Sequence, residues 1–111
     1  MTAAEPPALL VLDGGAAADL VREVCAGVEE EGVPVRVVPG VSGDADRLGA
    51  EAADRSALQV GIGLDPLGTV VVRHALMSRH GPVHTLAGGG RTGWRRAGRI
   101  AARIITGLPL D

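Results

Sequence analysis

Carboxylates crowd the end of the first predicted helix, where the chain reads VREVCAGVEEEGVP from residue 21 to residue 34. Glu29, Glu30 and Glu31 follow one another there. The C-terminus of a helix is the negative end of its dipole, so each carboxylate at this position is disfavoured by about 0.3–1 kcal/mol. Runs of charge are most often solvated helix faces. The stretch therefore indicates either a solvated acidic helix end or a surface that another protein approaches.

The angular positions of the side chains distinguish the glutamates from one another. At about 100° per residue, one arc of the helix collects the apolar side chains Val21, Val24, Cys25 and Val28. Glu30 falls almost opposite that arc, as does Glu23 one heptad earlier. The same outward side carries Asp19, Ala26 and Gly27. Because these side chains are acidic or very small, we expect that the backbone of another protein can approach this face closely.

Arginines dominate one side of the last predicted helix, about Thr92 to Thr106. At about 100° per residue, that side carries Arg95, Arg96, Arg99 and Arg103. The other side carries Ala97, Ile100, Ala101 and Ile104. The pattern is typical of an amphipathic helix with a solvated basic face. The alternative is a contact surface for an acidic partner, because the arginine fork binds carboxylates and phosphates.

A glycine turn, Asp13-Gly14-Gly15, separates the first predicted strand from the first helix. Nucleotide-binding folds hold phosphate at this position. The turn lacks both the G-x-G-x-x-G spacing and the lysine of a phosphate loop, and the sequence contains no lysine at all. We therefore interpret it as a plain tight turn.

Histidine and cysteine do not form a recognisable catalytic or metal-binding pattern. Pro82 interrupts the segment between His80 and His84, and no cysteine or carboxylate spacing accompanies His74. We expect three surface histidines. Cys25 lies within the apolar arc, so we expect a buried small hydrophobic side chain. We predict no catalytic residues and no cofactor bound by this chain alone.

The composition limits the class of protein. The 111 residues are 46% hydrophobic and 22% charged, which is typical of one globular domain spanning residues 1–111. Trp94 is the only aromatic residue and the formal net charge is −2. Nucleic-acid readers use aromatic platforms and basic surfaces, so we expect no nucleic-acid partner. No apolar run approaches the about 20 residues of a membrane span, and a single cysteine favours the reducing cytoplasm.

Hydrophobic patterning predicts an α/β fold. Ala8 to Leu12 forms a continuous apolar run that suits a strand buried on both faces. A helix over Ala16 to Glu31, a strand over Val35 to Val38, and a helix capped by Asp44 follow. Further strands are expected at the ranges 59–64, 69–73 and 83–86, before the last helix. The β-α-β-α-β-β-β-α order predicts a single domain whose largely parallel sheet is flanked by helices.

Three segments, taken together, resemble a known family. They are VEEEGVPVRVV at 28–38, VGIGLDPLGTVVVRHALM at 60–77 and GRIAARIITGLPL at 98–110. In this order and spacing they are similar to the small subunit of diol dehydratase and glycerol dehydratase reactivases. The resemblance covers nearly the whole chain. Ile100 departs from the family pattern G-x-N-A-A, in which an asparagine occupies its place.

The resemblance implies a non-catalytic chaperone subunit. In such reactivases a large subunit with an actin-like ATPase domain pairs with a small subunit that is similar to the medium subunit of the dehydratase. The medium subunit of the dehydratase takes the place of the small subunit in the reactivase, and the dehydratase large subunit is a transient partner. This exchange releases damaged cobalamin, so that adenosylcobalamin can rebind. The resemblance leaves open an association with a bacterial microcompartment.

The resemblance also implies a metal ligand. A glutamate matching Glu30 reaches a divalent metal, Mg²⁺ or Ca²⁺, that the large subunit mainly holds. The expected partner interface around it comprises Glu23, Glu29, Glu31, Arg95, Arg99 and Arg103.

Two other classes remain open. The chain can be a medium-subunit-like component of a cobalamin-dependent dehydratase, although it has no Asp-x-His-x-x-Gly motif. It can also be a stand-alone flavodoxin-like domain that binds a small anion at the Asp13-Gly14-Gly15 turn.

Overall fold

The computed structural model describes residues 6–107, apart from the side chains of Ser78 and Arg79. Its elements are β1 (Leu9–Asp13), α1 (Ala18–Glu30), β2 (Val35–Pro39), α2 (Ala45–Arg55), β3 (Val60–Leu64), β4 (Thr69–His74), a 3₁₀ segment (Ala75–His80), β5 (His84–Ala87) and α3 (Arg91–Thr106). This order confirms the predicted α/β fold. The sequence predicts that Gly107 and Pro109 end the last helix, and Pro109 lies outside the described residues.

The sheet has five strands in the order β2-β1-β3-β4-β5. β1 pairs in parallel with β2 and β3, whereas β4 pairs antiparallel with β3 and β5. Within the described part of the chain, β4 therefore runs against the other four strands, and the prediction of a largely parallel sheet is confirmed.

Each face of the sheet packs against helices. On one face, side chains such as Leu9, Val11 and Ile62 form a core with α1 and α3. On the other face, Leu10 and Leu12 pack against α2. β1 is buried on both faces, as its continuous apolar sequence predicts.

Trp94 of α3 is half-buried against the core on the first face. Its indole Nε1 is buried and makes no hydrogen bond within the described residues. None of the helices in the described ranges combines the length and the apolar character that crossing a bilayer requires.

Local signals set the ends of the elements. Asp44 caps α2 by accepting a hydrogen bond from the Arg47 amide at 2.8 Å. Gly32 follows α1 with φ of +76°, a conformation that favours glycine. The turn between β3 and β4 is held by Asp65, whose carboxylate accepts hydrogen bonds from the amides of Leu67 and Thr69.

Glycines permit two close backbone approaches. Glycines inside the strand sequence QVGIGL predict a close backbone approach. The structure confirms it, because a Cβ atom on Gly63 of β3 would clash with the Ala45 carbonyl oxygen of α2. A Cβ on Gly27 of α1 would clash with the Arg95 carbonyl oxygen of α3, and one on Gly98 with the Val24 carbonyl oxygen. We expected the Gly27 side of α1 to be open to another protein. That expectation was wrong, because α3 of the same chain covers it.

We predict that Gly27→Ala destabilises the protein although alanine is the better helix former. The propensity gain is about 1 kcal/mol, whereas overpacking a filled site typically costs about 1–3 kcal/mol. Here the obstacle is backbone, which cannot rotate away, so we expect a net loss of about 1–2 kcal/mol in the free energy of unfolding by urea.

Gly93→Ala on α3 is the matched control. Its Cβ would lie 3.0 Å from the end of the flexible Leu86 side chain, so we expect a neutral or stabilising change. Equal stabilisation by both substitutions would contradict the role assigned to Gly27.

Candidate functional site

The outward carboxylates of α1 face the arginines of α3. Arg91 Nη1 lies 3.6 Å from Glu23 Oε2, and Arg95 Nη1 lies 3.5 Å from Glu23 Oε1. Arg91 also approaches Asp19 at 3.9 Å. We call the whole group the acid–arginine cluster, with members Asp19, Glu23, Glu30, Glu31, Arg91, Arg95, Arg99 and Arg103. Its pairs advance in the same direction along both helices, so α1 and α3 run parallel.

Glu30 is the most exposed carboxylate of the cluster. Arg95 Nε lies 3.5 Å from its Oε2, and Arg99 Nη1 lies 3.4 Å from its Oε1. The Glu30 side chain is 43% exposed, compared with 13% for Glu31 beside Arg103. Glu31 is therefore enclosed within the chain, whereas Glu30 stands at the solvent edge and its neighbour Glu29 is exposed.

The cluster explains why the end of α1 tolerates its acidic residues. Arg99 and Arg103 bring positive charge to Glu30 and Glu31 at the negative end of the helix dipole. The sequence pattern offered two solvated or partner-facing surfaces, one acidic and one basic. The structure instead places these two surfaces against each other. Arg96 is the exception on α3, since it is exposed and lies near His84.

The pairs of the cluster act mainly through charge. Their distances of 3.4 to 3.9 Å exceed the 2.7–2.9 Å typical of a strong charge-assisted hydrogen bond. By contrast, Arg73 binds Asp46 at 2.7 and 2.9 Å, and its side chain is only 12% exposed. The cluster can therefore rearrange more easily than the Arg73–Asp46 pair.

The glycine turn after β1 is closed by its own carboxylate. Asp13 Oδ1 accepts hydrogen bonds from the amides of Gly15 and Ala16, both at 2.9 Å. These are amides that a bound phosphate would use at this position. The geometry agrees with our interpretation of a plain tight turn.

Cys25 is only half-buried, so the expectation of a buried side chain was wrong. The cause is its position at the edge of the apolar arc. Burial and, to a smaller extent, the nearby Glu29 and Asp13 raise the pKa of the Cys25 thiol above its usual value. The side chain therefore stays protonated at neutral pH and is a poor nucleophile.

The three histidines differ in their exposure. His80 is exposed, as expected, whereas His74 and His84 are half-buried. His74 Nδ1 accepts a hydrogen bond from the Leu76 amide at 3.0 Å. Over the described ranges, no three side chains among His, Cys, Asp and Glu are grouped to hold a metal ion.

Two residues of the contact between α1 and α3 were missed in the sequence. Arg91 pairs with α1 and Gly98 allows the close approach of the two helices. The available signal was spacing: arginines recur every fourth residue at 91, 95, 99 and 103, and α1 carries carboxylates or glycine at 19, 23, 27 and 31. Opposite charges that recur with the same spacing on two helices predict contact between those helices.

Comparison with known proteins identifies the family. The family described as Dehydratase medium subunit matches residues 5–111. The probable glycerol dehydratase-reactivating factor small subunit of Citrobacter freundii is 36% identical over 80% of this chain and 78% of that protein. The diol dehydratase-reactivating factor small subunit of Klebsiella michiganensis is 35% identical over 92% of this chain and 80% of that protein. This chain belongs to the small subunits of dehydratase-reactivating factors.

Solved structures agree with the reactivating-factor family. The chain superposes on a glycerol dehydratase reactivase with a TM-score of 0.89 and 34% identity, covering 96% of this chain and 97% of that chain. It superposes on a diol dehydratase-reactivating factor complexed with ADP and Mg²⁺ with a TM-score of 0.87 and 31% identity, covering 96% and 99%. Within the described residues, the segments that carried the resemblance lie at the end of α1 with β2, in the β3–β4 hairpin with the start of the 3₁₀ segment, and in α3.

We predict a measurable coupling between Glu30 and Arg99 in the reactivating-factor subunit. A double-mutant cycle with Glu30→Gln and Arg99→Gln should give a coupling free energy of about 0.2–1 kcal/mol at low salt, as for other partly exposed pairs. Because the Debye length falls to about 3 Å in 1 M salt, the coupling measured by urea unfolding should shrink there. Pairing Glu30 with Arg47, which is on α2 across the sheet, should give no coupling. A coupling that is insensitive to salt would argue against charge as its origin.

We predict that Arg96 depresses the pKa of His84. Burial chiefly, and then the Arg96 charge, lower the pKa of His84 below its usual value. The unfolded chain therefore binds a proton first, so this part of the stability is present above about pH 6.5 and is lost as pH falls from there through the lower pKa of the folded state. Arg96→Gln should raise the pKa of His84 in an NMR titration and lessen that loss, while Arg91→Gln should leave both unchanged. An unchanged pKa of His84 in Arg96→Gln would refute the role of Arg96 in lowering it.

Proposed function

We propose that this chain is the non-catalytic small subunit of an ATP-dependent reactivase for an adenosylcobalamin-dependent diol or glycerol dehydratase. It acts by exchanging places with the medium subunit of the dehydratase. The exchange exposes the dehydratase large subunit transiently and lets damaged cobalamin leave. The observation that carries this proposal is the likeness, over nearly the full length of both chains, to a solved glycerol dehydratase reactivase.

The family described as Dehydratase medium subunit supports the exchange step, because it matches this reactivase-like chain over residues 5–111. Two proteins built on one fold can present similar surfaces to one partner. Their occupancy of that partner then follows from their relative affinities and concentrations. No covalent chemistry by this chain is required.

ATP hydrolysis belongs, in this proposal, to a large actin-like subunit. The similar diol dehydratase-reactivating factor was solved with ADP and Mg²⁺. In this chain the turn after β1 lacks the residues of a phosphate loop, and the Asp13 carboxylate occupies its amides. The same observation disfavours a stand-alone anion-binding domain.

Glu30 is the proposed metal ligand at the interface with the large subunit. Mg²⁺ and Ca²⁺ prefer carboxylate oxygens, and the Glu30 side chain reaches solvent at the end of α1. The described residues offer no group of three donors around a cation site. This chain therefore fits the role of a single ligand to a metal that the large subunit mainly holds.

The residues beside Glu30 form the proposed contact surface. It comprises Glu23, Glu29, Glu31, Arg95, Arg99 and Arg103. Glu29 is exposed, so it is available for direct contact. The side chains of Glu23 and Glu31 are only 15% and 13% exposed, so they support the arginines from below rather than reach outward.

The proposal predicts association with the large subunit that depends on Glu30 and on a divalent metal. The chain should co-purify with the large subunit, and removing Mg²⁺ and Ca²⁺ with a chelator should weaken the complex. Glu30→Gln should lower the affinity at saturating Mg²⁺ by about tenfold or more and abolish its metal dependence, since one carboxylate ligand is lost. Affinity is read by biolayer interferometry.

Glu51→Gln is the matched control, because this exposed glutamate lies on α2 and binds Arg55 within its own helix. It should leave the association unchanged. Retained metal dependence in Glu30→Gln would reject the ligand assignment. Failure to bind the large subunit at any metal concentration would reject the reactivase function.

A further inference from the structure

We propose that Arg95 and Arg99 are internal counter-ions that a divalent cation must displace from Glu30. This inference rests on the proposed function, because it concerns the same carboxylate. Metal-dependent assembly and the opening of the two ion pairs are then one coupled step. The chain on its own keeps Glu30 neutralised and has little affinity for the cation.

The geometry behind this inference is the occupancy of both oxygens of Glu30. Arg95 Nε lies 3.5 Å from Oε2, and Arg99 Nη1 lies 3.4 Å from Oε1. A divalent cation binds carboxylate oxygens at about 2.0–2.6 Å. A cation at that distance would lie within a few ångströms of two guanidinium groups. Like charges at such separations repel even at the high effective dielectric of a protein surface.

Displacement is feasible because the two arginines are partly exposed. The side chains of Arg95 and Arg99 are 40% and 33% exposed, and their contacts with Glu30 are long. Arginine carries a flexible stem with a charged head that can follow the solvent. The backbone packing at Gly27 and Gly98 does not depend on these side chains. The ion pairs can therefore open without separating α1 from α3.

Arg95 also has a second carboxylate within reach. Its Nη1 already lies 3.5 Å from Glu23 Oε1, and Arg91 shares the same glutamate. When a cation takes Glu30, Arg95 can remain paired with Glu23 and keep its charge compensated. Glu31 remains with Arg103 at the inner end of the cluster. Arg99 is therefore the residue that mainly loses its ion pair.

The test is the Mg²⁺ concentration that gives half-maximal association of the chain with the large subunit, titrated with MgCl₂. Removing competing positive charge should lower this midpoint. We expect a decrease of about two- to fivefold in Arg99→Gln, the factor that corresponds to one partly exposed ion pair, and a larger decrease in the double variant with Arg95→Gln. Affinity at saturating Mg²⁺ is measured separately, because it reports any direct contact of these arginines with the partner.

Two control variants isolate the charge effect. Arg91→Gln removes ion pairs to Asp19 and Glu23 but none to Glu30, so its midpoint should match the wild type. Arg47→Gln removes an exposed positive charge on α2, across the sheet from Glu30, so its midpoint should also stay in place. Urea unfolding of each variant verifies that the fold is retained.

The outcomes separate this inference from the proposed function. A midpoint that is unchanged or higher in the double variant, while Glu30→Gln abolishes metal dependence, would overturn the counter-ion role and leave the metal site intact. Full metal dependence in Glu30→Gln would overturn both the counter-ion role and the assignment of Glu30 as a metal ligand, whereas the reactivase function is rejected only if the chain does not bind the large subunit. The inference is supported if the midpoint is lower in Arg99→Gln and unchanged in Arg91→Gln.

Discussion

Gly27 of α1 and Gly98 of α3 bring two helix backbones into direct contact, each beneath a carbonyl oxygen of the other helix. No side chain separates the helices at this point. The long side chains that flank this contact on each helix therefore meet along the edge of the helix pair. The acid–arginine cluster is the result. Two parallel helices on one face of a sheet have their dipoles aligned, which concentrates negative potential at both C-termini. Arg99 and Arg103 of α3 lie beside Glu30 and Glu31 at the end of α1. Their positive charge offsets both this negative potential and the charge of the two glutamates.

The elements of the fold could be read from the sequence because their signals are local. Asp44 caps its helix, the strand glycines Gly61 and Gly63 admit α2, and β1 is apolar throughout since both its faces are covered. Each signal involves residues close in the chain or a single burial pattern. The same reasoning placed Glu30 opposite the apolar arc of α1, and the structure agrees that its side chain reaches solvent.

The identity of the neighbour across the helix could not be read in this way. Glu30 and Arg99 are 69 residues apart, and Glu31 and Arg103 are 72 residues apart. A helical wheel gives the angle of a side chain from the core, but it does not say whether the outward direction meets water, another chain or a helix of the same chain. The acidic and basic faces were each interpreted as solvated or partner-facing, and contact with a helix of the same chain was not predicted. Contact with a helix of the same chain is indicated only by the matching spacing of opposite charges and by one glycine on each helix. Recognising it requires the two helices to be compared as a pair.

The position of Trp94 has a consequence for how this subunit can be observed. The sequence contains no tyrosine and no phenylalanine, so this half-buried indole of α3 is the only source of intrinsic ultraviolet fluorescence. Emission from the chain therefore reports a single location, the contact of α3 with the core. A spectral change during unfolding or assembly describes the surroundings of that helix and not an average over the molecule. The subunit carries its own site-specific optical label one residue away from Arg95.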